Sequence, residues 1–468
     1  MTTATATPTA PAGIPFDRAG LDALLAIRPE PAWVAERRRR ALTAVETLGI
    51  PDRRAENWMR TDLRMFKPAA WSLAAAAGSS GLPPDLLATA IAAGETETDY
   101  LADAQGDAPA RPAVPLPLAG RFAALDGHVL RDELDAELVA RGVVFGSAER
   151  VLATHRDVLE PHWFSVIDSG GDWFAALHAA FHRASAVLYV PAGVRVAAPL
   201  HVLAAIGPGG VDTSHVLVVL GDGAEATLLT ETAGGGAAGT VGGFHCGGTE
   251  IVVGRGAFLR MVNLQNWNTG VWHVARQKAV VHERGRLQWT LGALGSRLSQ
   301  VAQDVALVGR QADAQVNGVM FTEGRQQLVY NTLQHHEAPA CRSDLLYKGA
   351  LQDRSRLVWR GMIKVDKSAQ KTDGYQRNDN LMLSDEARVD SIPGLEIEAD
   401  DVRCTHGATS GRVDAEQVFY AQARGLSADE AARLVVAGFF RQVFDRITIP
   451  PVREALAGAI GRRIRRIS

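Results

Sequence analysis

Between Ser185 and Val365 the sequence is a succession of short runs rich in Val and Leu, each broken by a turn containing Gly or Asp. This repetition restricts the available folds more than any other feature. Residues 187–190 lead into Pro191-Ala-Gly193, His215–Leu220 into Gly221-Asp-Gly223, residues 250–253 into Gly254-Arg-Gly256 and residues 279–282 into Glu283-Arg-Gly285. Corresponding turns return after roughly 30 residues, with a weaker beat near half that, as expected for one strand–turn unit stacked on the next. The intervals leave no room for a helix, which argues against a doubly wound sheet. A mainly β chain with a parallel β-helix (β-solenoid) core is predicted, because there every coil pairs with its neighbours and only the two ends expose edges.

The flanks have a different texture, so three regions are expected: a mainly helical N-terminal part over 1–184, the β-helix over 185–412 and a helical C-terminal domain over 413–468. The Thr/Ala/Pro-rich start reads as disordered. Asp17 can cap a helix to Ile27, and Pro31 can open another to Leu48. The Arg37–Arg40 run on that helix reads as a solvated or partner-facing flank rather than an anion site. Arg54-Ala-Glu56-Asn-Trp58 through Leu63 is by itself an ordinary capped segment. Residues 70–117 are rich in Ala, Gly and Pro, with weak helical pieces such as 84–93. Residues 147–159 and 172–182 look helical. His178 and His182 stand at i and i+4, but Ala179 fills the position where the zinc-protease pattern needs Glu, so a core or surface pair is the default.

After Thr409, Asp414 and Gln417, then Ser427 and Glu430, are spaced as capping boxes. The second of these helices carries an apolar stripe of Ala431, Leu434, Val435, Gly438, Phe439 and Val443. Pro450-Pro451 starts a last helix ending in Arg462, Arg463, Arg465 and Arg466. Helices capping one end of a solenoid are expected on physical grounds. Three helices have little surface to bury against at one end, however, so the stripe reads partly as a partner-docking face.

Composition narrows the function. The formal net charge of −3 gives no global case for nucleic-acid binding. No run of about 18 uncharged apolar residues predicts a transmembrane helix. The opening MTTATATPTAPAG has no basic or apolar signal region. The three cysteines, Cys246, Cys341 and Cys404, are too few for a disulfide framework. A cytoplasmic protein is expected. No phosphate-binding Gly-rich loop with a following Lys-Ser/Thr is present, so energy from ATP would have to come through a partner.

The chemistry concentrates in residues 370–409, QKTDGYQRNDNLMLSDEARVDSIPGLEIEADDVRCTHGAT. Leu395, Ile397 and Ala399 alternate with Glu396, Glu398 and Asp400, the period of a half-buried strand. Val402, Cys404 and His406 also fall two apart and share a side if that segment is extended. A thiol and an imidazole so placed are half of a metal site, and both ligate iron. On spacing alone, a free cysteine is more often a small buried hydrophobe, and Cys246 and Cys341 keep that reading. His335-His336-Glu337, expected at a turn, is a weaker second cluster.

Ala369-Gln-Lys371-Thr-Asp373, Asn378-Asp-Asn380-Leu-Met-Leu-Ser384-Asp-Glu-Ala387, Leu395-Glu396-Ile, Ala399-Asp400-Asp401 and Cys404-Thr-His406-Gly407-Ala408-Thr409 strongly resemble the SufB/SufD family of SUF iron–sulfur cluster assembly subunits. The likeness extends to Phe419-Tyr420, Arg424-Gly425, Arg54, Glu56, Trp58, Thr61-Asp62-Leu63, Ala176-Leu177 with Phe181, and Val190-Pro191 with Gly193. Within the family the chain resembles the SufD branch. SufB-type sequences lack the cysteine of the Cys-x-His pair, and Asn378 stands where they carry an assembly cysteine. The resemblance implies a right-handed parallel β-helix between helical parts, and a non-catalytic scaffold. It implies pairing with SufB through the β-helix and docking of the ATPase SufC on the C-terminal helices (Phe419, Tyr420, Leu434, Val435, Phe439 and Val443). It further implies Cys404 and His406 near the heterodimer interface, contributing to a transient iron–sulfur cluster, with reduced flavin as a candidate participant and a homodimer as a candidate state of the isolated chain. The rival is a carbohydrate-active β-helix enzyme, for which Glu396, Glu398 and Asp400 are the only candidate carboxylates. They read better as the solvated face of a strand.

Overall fold

The computed structural model describes residues 13–464 except 53, 77, 79–80, 84, 92–95, 98–110, 113–115 and 237–240. The first twelve residues, part of the 84–93 stretch, and Arg465 and Arg466 therefore lie outside the described residues. Period-2 patterning builds the centre of the fold. Along Phe258–Trp267, Leu259, Met261, Asn263, Gln265 and Trp267 turn inward, while Val262 and Leu264 turn outward beneath covering helices. Successive strands alternate between two ten-stranded sheets, so that Phe258–Trp267 pairs with Glu225–Gly234 before it and Arg286–Leu294 after it. These pairings are parallel and in register. One coil takes from 26 residues (Trp272 to Leu298) to 33 (Glu225 to Phe258). The result is a parallel β-solenoid of about 8 turns.

A ladder of turn hydrogen bonds sets the pitch. The amides of Gly193, Gly223, Gly256, Arg284, Gln311, Ala340 and Lys371 donate to the carbonyls of Asp222, Arg255, Glu283, Arg310, Pro339, Gln370 and Asp401, each on the next coil. All seven donors have positive φ, a conformation that favours glycine. Most strands run longer than the apolar runs in the sequence. Residues 357–359 and 362–365 are one strand, Arg356–Val365, and His335 and His336 close the strand Gln327–His336 instead of forming a turn.

The sheets do not begin at residue 185. Gly120–Leu125 and His128–Leu134 form an antiparallel pair that starts the first sheet, and Val144–Ser147 pairs antiparallel with Ala186–Val190 to start the second. The N-terminal region thus supplies strands as well as the expected helices Arg18–Ile27, Ala32–Thr47 and Trp173–Phe181. Trp173–Phe181 packs Phe174, Leu177 and Phe181 on the outer face of the second sheet, against Phe244, Val274 and Leu298. The segment around Glu56–Trp58 straps the same face. Trp58 stacks on Phe174 at 5.0 Å, Thr61 Oγ1 donates to Gln300 Oε1 (2.6 Å), and Glu56 pairs with Arg360.

The C-terminal helices are Ala415–Gln422, Ala428–Phe444 and Pro450–Arg463. Ser427 and Glu430 form the expected capping box. The helices do not cap an end. Ala432, Val436, Phe440, Val443, Leu456 and Ile460 lie along the outer face of the first sheet, against Leu229, Val262, Leu264, Leu294, Val319, Phe321 and Leu346. That apolar outer face spans several coils and offers far more area to cover than one solenoid end. Arg388–Ile397 and Arg403–Arg412, the last strands of the two sheets, each keep one unpaired edge.

Candidate functional site

Cys404 and His406 lie on Arg403–Arg412, opposite Gly374 and Gln376. Gly374 and Gln376 face the solenoid interior, so the thiol and imidazole share the inward side of the terminal coil, roughly 7 Å apart along the strand. Cys404 is half-buried against Ile363, Val365, Ala369, Ala399 and Val402. Room for it comes from Gly374, where an added Cβ would stand 3.2 Å from Sγ. Burial pushes the thiol pKa up, partly offset by the Gly374 backbone, so binding iron as thiolate would release a proton. His406 is exposed. Across the coil, Leu395 (38% exposed) and Ile397 (40%) also face the open end. The end therefore presents apolar side chains, a thiol, an imidazole and two unpaired strand edges together.

Behind it lies a polar lumen that the apolar runs do not reveal. Asn380 Nδ2 and Ser391 Oγ both donate to Asn378 Oδ1 (2.6 Å each), and Gln376 Nε2 donates to the Gly394 carbonyl at 2.9 Å. Deeper, Tyr330 OH donates to Gln265 Oε1 (2.8 Å). His273 Nδ1 and His245 Nδ1 lie 2.8 Å apart beside a cavity of about 60 Å³. Burial pushes His245 down to about 3, so both imidazoles that meet there are kept neutral. The signal for these groups was polar residues at every second strand position, which interrupt the apolar runs. Asn378 is fully buried one coil behind Cys404.

The other candidates separate. His178 and His182 are buried, and His182 Nδ1 faces Arg38 Nη2 at 3.2 Å, an environment hostile to a cation. Arg37–Arg40 scatter around their helix, with Arg38 buried against Glu30 (2.6 Å). His336 points inward to Ser343 Oγ (2.8 Å), while His335 points outward between Asp366 (2.9 Å) and Glu337 (3.1 Å). Cys246 and Cys341 are buried, with thiol pKa values raised by burial. Glu396 pairs with Lys364 at 2.9 Å, and Glu398 and Asp400 are exposed.

Of the expected docking residues, Phe419 (72% exposed), Tyr420 (62%) and Leu434 (43%) are open to solvent. Val435 and Phe439 are half-buried. Val443 is completely buried against the first sheet and is withdrawn from that face. Its helix turns the 432, 436, 440, 443 edge to the solenoid, one position round from the expected stripe.

Fold and site together define a parallel β-solenoid with a thiol and an imidazole side by side on the inward face of its open end. A family model described as the SufBD core domain of SUF system FeS cluster assembly matches residues 203–439, and one for the SufBD protein N-terminal region matches 119–202. An iron–sulfur cluster assembly SufBD family protein of Mycobacterium leprae is 32% identical over 288 residues, covering 59% of this chain and 71% of the relative. One of Mycobacterium tuberculosis is 34% identical over 278 residues (58% and 66%), and one of Staphylococcus haemolyticus 26% over 323 (69% of each). The chain belongs to the SufBD family of iron–sulfur cluster assembly proteins. No helix among the described residues is long and apolar enough to cross a membrane.

Proposed function

We propose that this chain is a SufD-type scaffold subunit without catalytic activity of its own. It pairs through its open solenoid end with a SufB-type subunit and carries a SufC-type ATPase on the exposed side of its C-terminal helices. At the shared interface Cys404 and His406 ligate part of a nascent iron–sulfur cluster, and the partner supplies the remaining ligands. Reduced flavin is a candidate electron source for the assembled complex. The observation that carries this reading is the position of the thiol and imidazole, on the inward side of a coil that has no next coil. Two ligands cannot complete a tetrahedral iron site, and a second subunit stacked on this end brings its own groups within reach.

The test is anaerobic coexpression of Cys404→Ser and His406→Ala chains with the SufB- and SufC-type partners, followed by iron and sulfide analysis of the purified complex. Both variants are expected to fold and copurify normally while holding much less cluster. Wild-type iron and sulfide in both would remove the assignment.

A further inference from the structure

Far from the open end, one imidazole and two carboxylates converge on the outer face of the first sheet. His201 stands on Leu200–Ile206 and Glu231 on Glu225–Gly234, and Asp85 reaches them from the segment leading into the helix Ala88–Ile91. One ligand atom from each lies within 4.8 Å of the other two. His201 Nε2 and Glu231 Oε2 are 2.9 Å apart, and both side chains are 1% exposed. The Leu86 amide donates to Glu231 Oε1 at 3.0 Å, which fixes that carboxylate with its other oxygen toward the imidazole. Asp85 Oδ1 is closed off from solvent and accepts no hydrogen bond.

We propose that Asp85, His201 and Glu231 bind one divalent first-row transition ion of the zinc class, which clips the N-terminal segment onto the solenoid. A buried carboxylate oxygen without a donor is costly, and a bound cation would supply the partner that Asp85 Oδ1 has not found. Mixed imidazole and carboxylate ligands at about 2.0–2.2 Å suit zinc and its neighbours, whereas magnesium and calcium prefer all-oxygen shells. At those bond lengths three ligand atoms on a tetrahedral ion stand about 3.3 Å apart, so small side-chain movements close the present arrangement on the ion. Arg121, the strand partner of His201, contributes one positive charge nearby. Burial raises the pKa of both carboxyls, so a cation binding there displaces protons and gains two carboxylate charges against that one. Cys404 and His406 have no part in it.

The full chain carrying Cys404→Ser and His406→Ala, which removes the competing thiol–imidazole pair, is stripped with chelator and titrated with Zn²⁺ and Co²⁺. One equivalent should bind and raise the melting temperature, and the Co²⁺ spectrum should show nitrogen and oxygen ligation without a thiolate band. Glu231→Gln and Asp85→Asn, which keep side-chain shape, should each weaken Zn²⁺ binding by at least ~10-fold, and His201→Ala by ~100-fold or more. Circular dichroism confirms folding, and Asp85→Asn, the most peripheral change, keeps the test valid if His201→Ala unfolds. Failure to bind Zn²⁺ at micromolar free metal, or unchanged binding in the folded Asp85→Asn and Glu231→Gln chains, overturns the proposal.

Discussion

Phe419→Ala separates a docking role for the C-terminal helices from a purely structural one. The ring lies on Ala415–Gln422, a helix with little burial of its own, and exposes 72% of its surface. An aromatic side chain presents ~200 Å², so ~140 Å² of Phe419 is open for a partner to cover. At ~25 cal/mol per Å², complete burial contributes about 3.5 kcal/mol, or ~300-fold in affinity. Ordering costs at the interface reduce this, and the expected loss lies between ~10-fold and ~300-fold. Isothermal titration of the purified chain with the SufC-type ATPase reads it directly. The variant's own unfolding free energy should stay within about 0.5 kcal/mol of wild type, because the ring supports nothing beneath it. Phe440→Ala on the neighbouring helix is the structural contrast. That ring is completely buried against the first sheet, and its loss should cost ~3–5 kcal/mol of stability. Affinity of Phe419→Ala within twofold of wild type, with the ATPase active, would refute docking at this helix.

Ile397→Glu places a charge at the open end, where the side chain is 40% exposed; sedimentation should show weakened association with the SufB-type subunit, and unchanged association would move the interface elsewhere. His336 is completely buried and its pKa is pushed down to about 4, chiefly by burial. The unfolded chain protonates this residue near ~6.5, so its contribution to stability is present above that pH and is lost as pH falls toward the folded value, by ~1.4 kcal/mol per unit. Asp212 and Asp304, each raised to about 6 by burial, act in the opposite direction over part of this range. Urea unfolding at pH 6.5 and 4.5 should therefore show His336→Gln losing about 2 kcal/mol less than wild type, and equal losses would contradict the neutral buried state. Tyr330→Phe removes the hydroxyl that donates to Gln265 and should cost about 1 kcal/mol in the same assay; no change would mean the lumen bond contributes nothing.

The solenoid was legible because its first turns use glycine where the backbone requires positive φ, at Gly193, Gly223 and Gly256. The same position passes to Arg284, Gln311, Ala340 and Lys371 in later coils, so the residue signal fades while the hydrogen-bond ladder continues. Strand lengths were underestimated for a related reason. Thr332, Gln334 and His336 point into the lumen where a strand pattern calls for apolar groups, so the apolar run stops at Leu333 while the strand continues to His336. The shared face of Cys404 and His406 follows from alternation alone. The partial burial of Cys404 does not, because it depends on the glycine opposite and on residues in three other segments. On the helix Ala428–Phe444, Leu434, Val435 and Phe439 are as apolar as Val436 and Phe440. Nothing local decides which edge is buried, and the sheet beneath settles it.

The sheet that carries Cys404 and His406 also carries the C-terminal helices on its outer face, and one polar chain joins the two. Lys348 Nζ donates to the Phe439 carbonyl at 3.0 Å and lies 3.5 Å from Asp379 Oδ2. Asp379 accepts a hydrogen bond from Thr409 Oγ1 at 2.7 Å and is held by Arg377 at 3.0 Å. Thr409 stands three residues beyond His406 on the terminal strand. Side chains this well paired have few alternative arrangements, and Lys348 and Asp379 link the long helix to the last coil through the two coils before it. Beside this chain, Leu381, Leu383 and Val413 pack in the same apolar cluster as the helices, so the proposed docking of an ATPase on the flank would act on the open end through both sets of contacts.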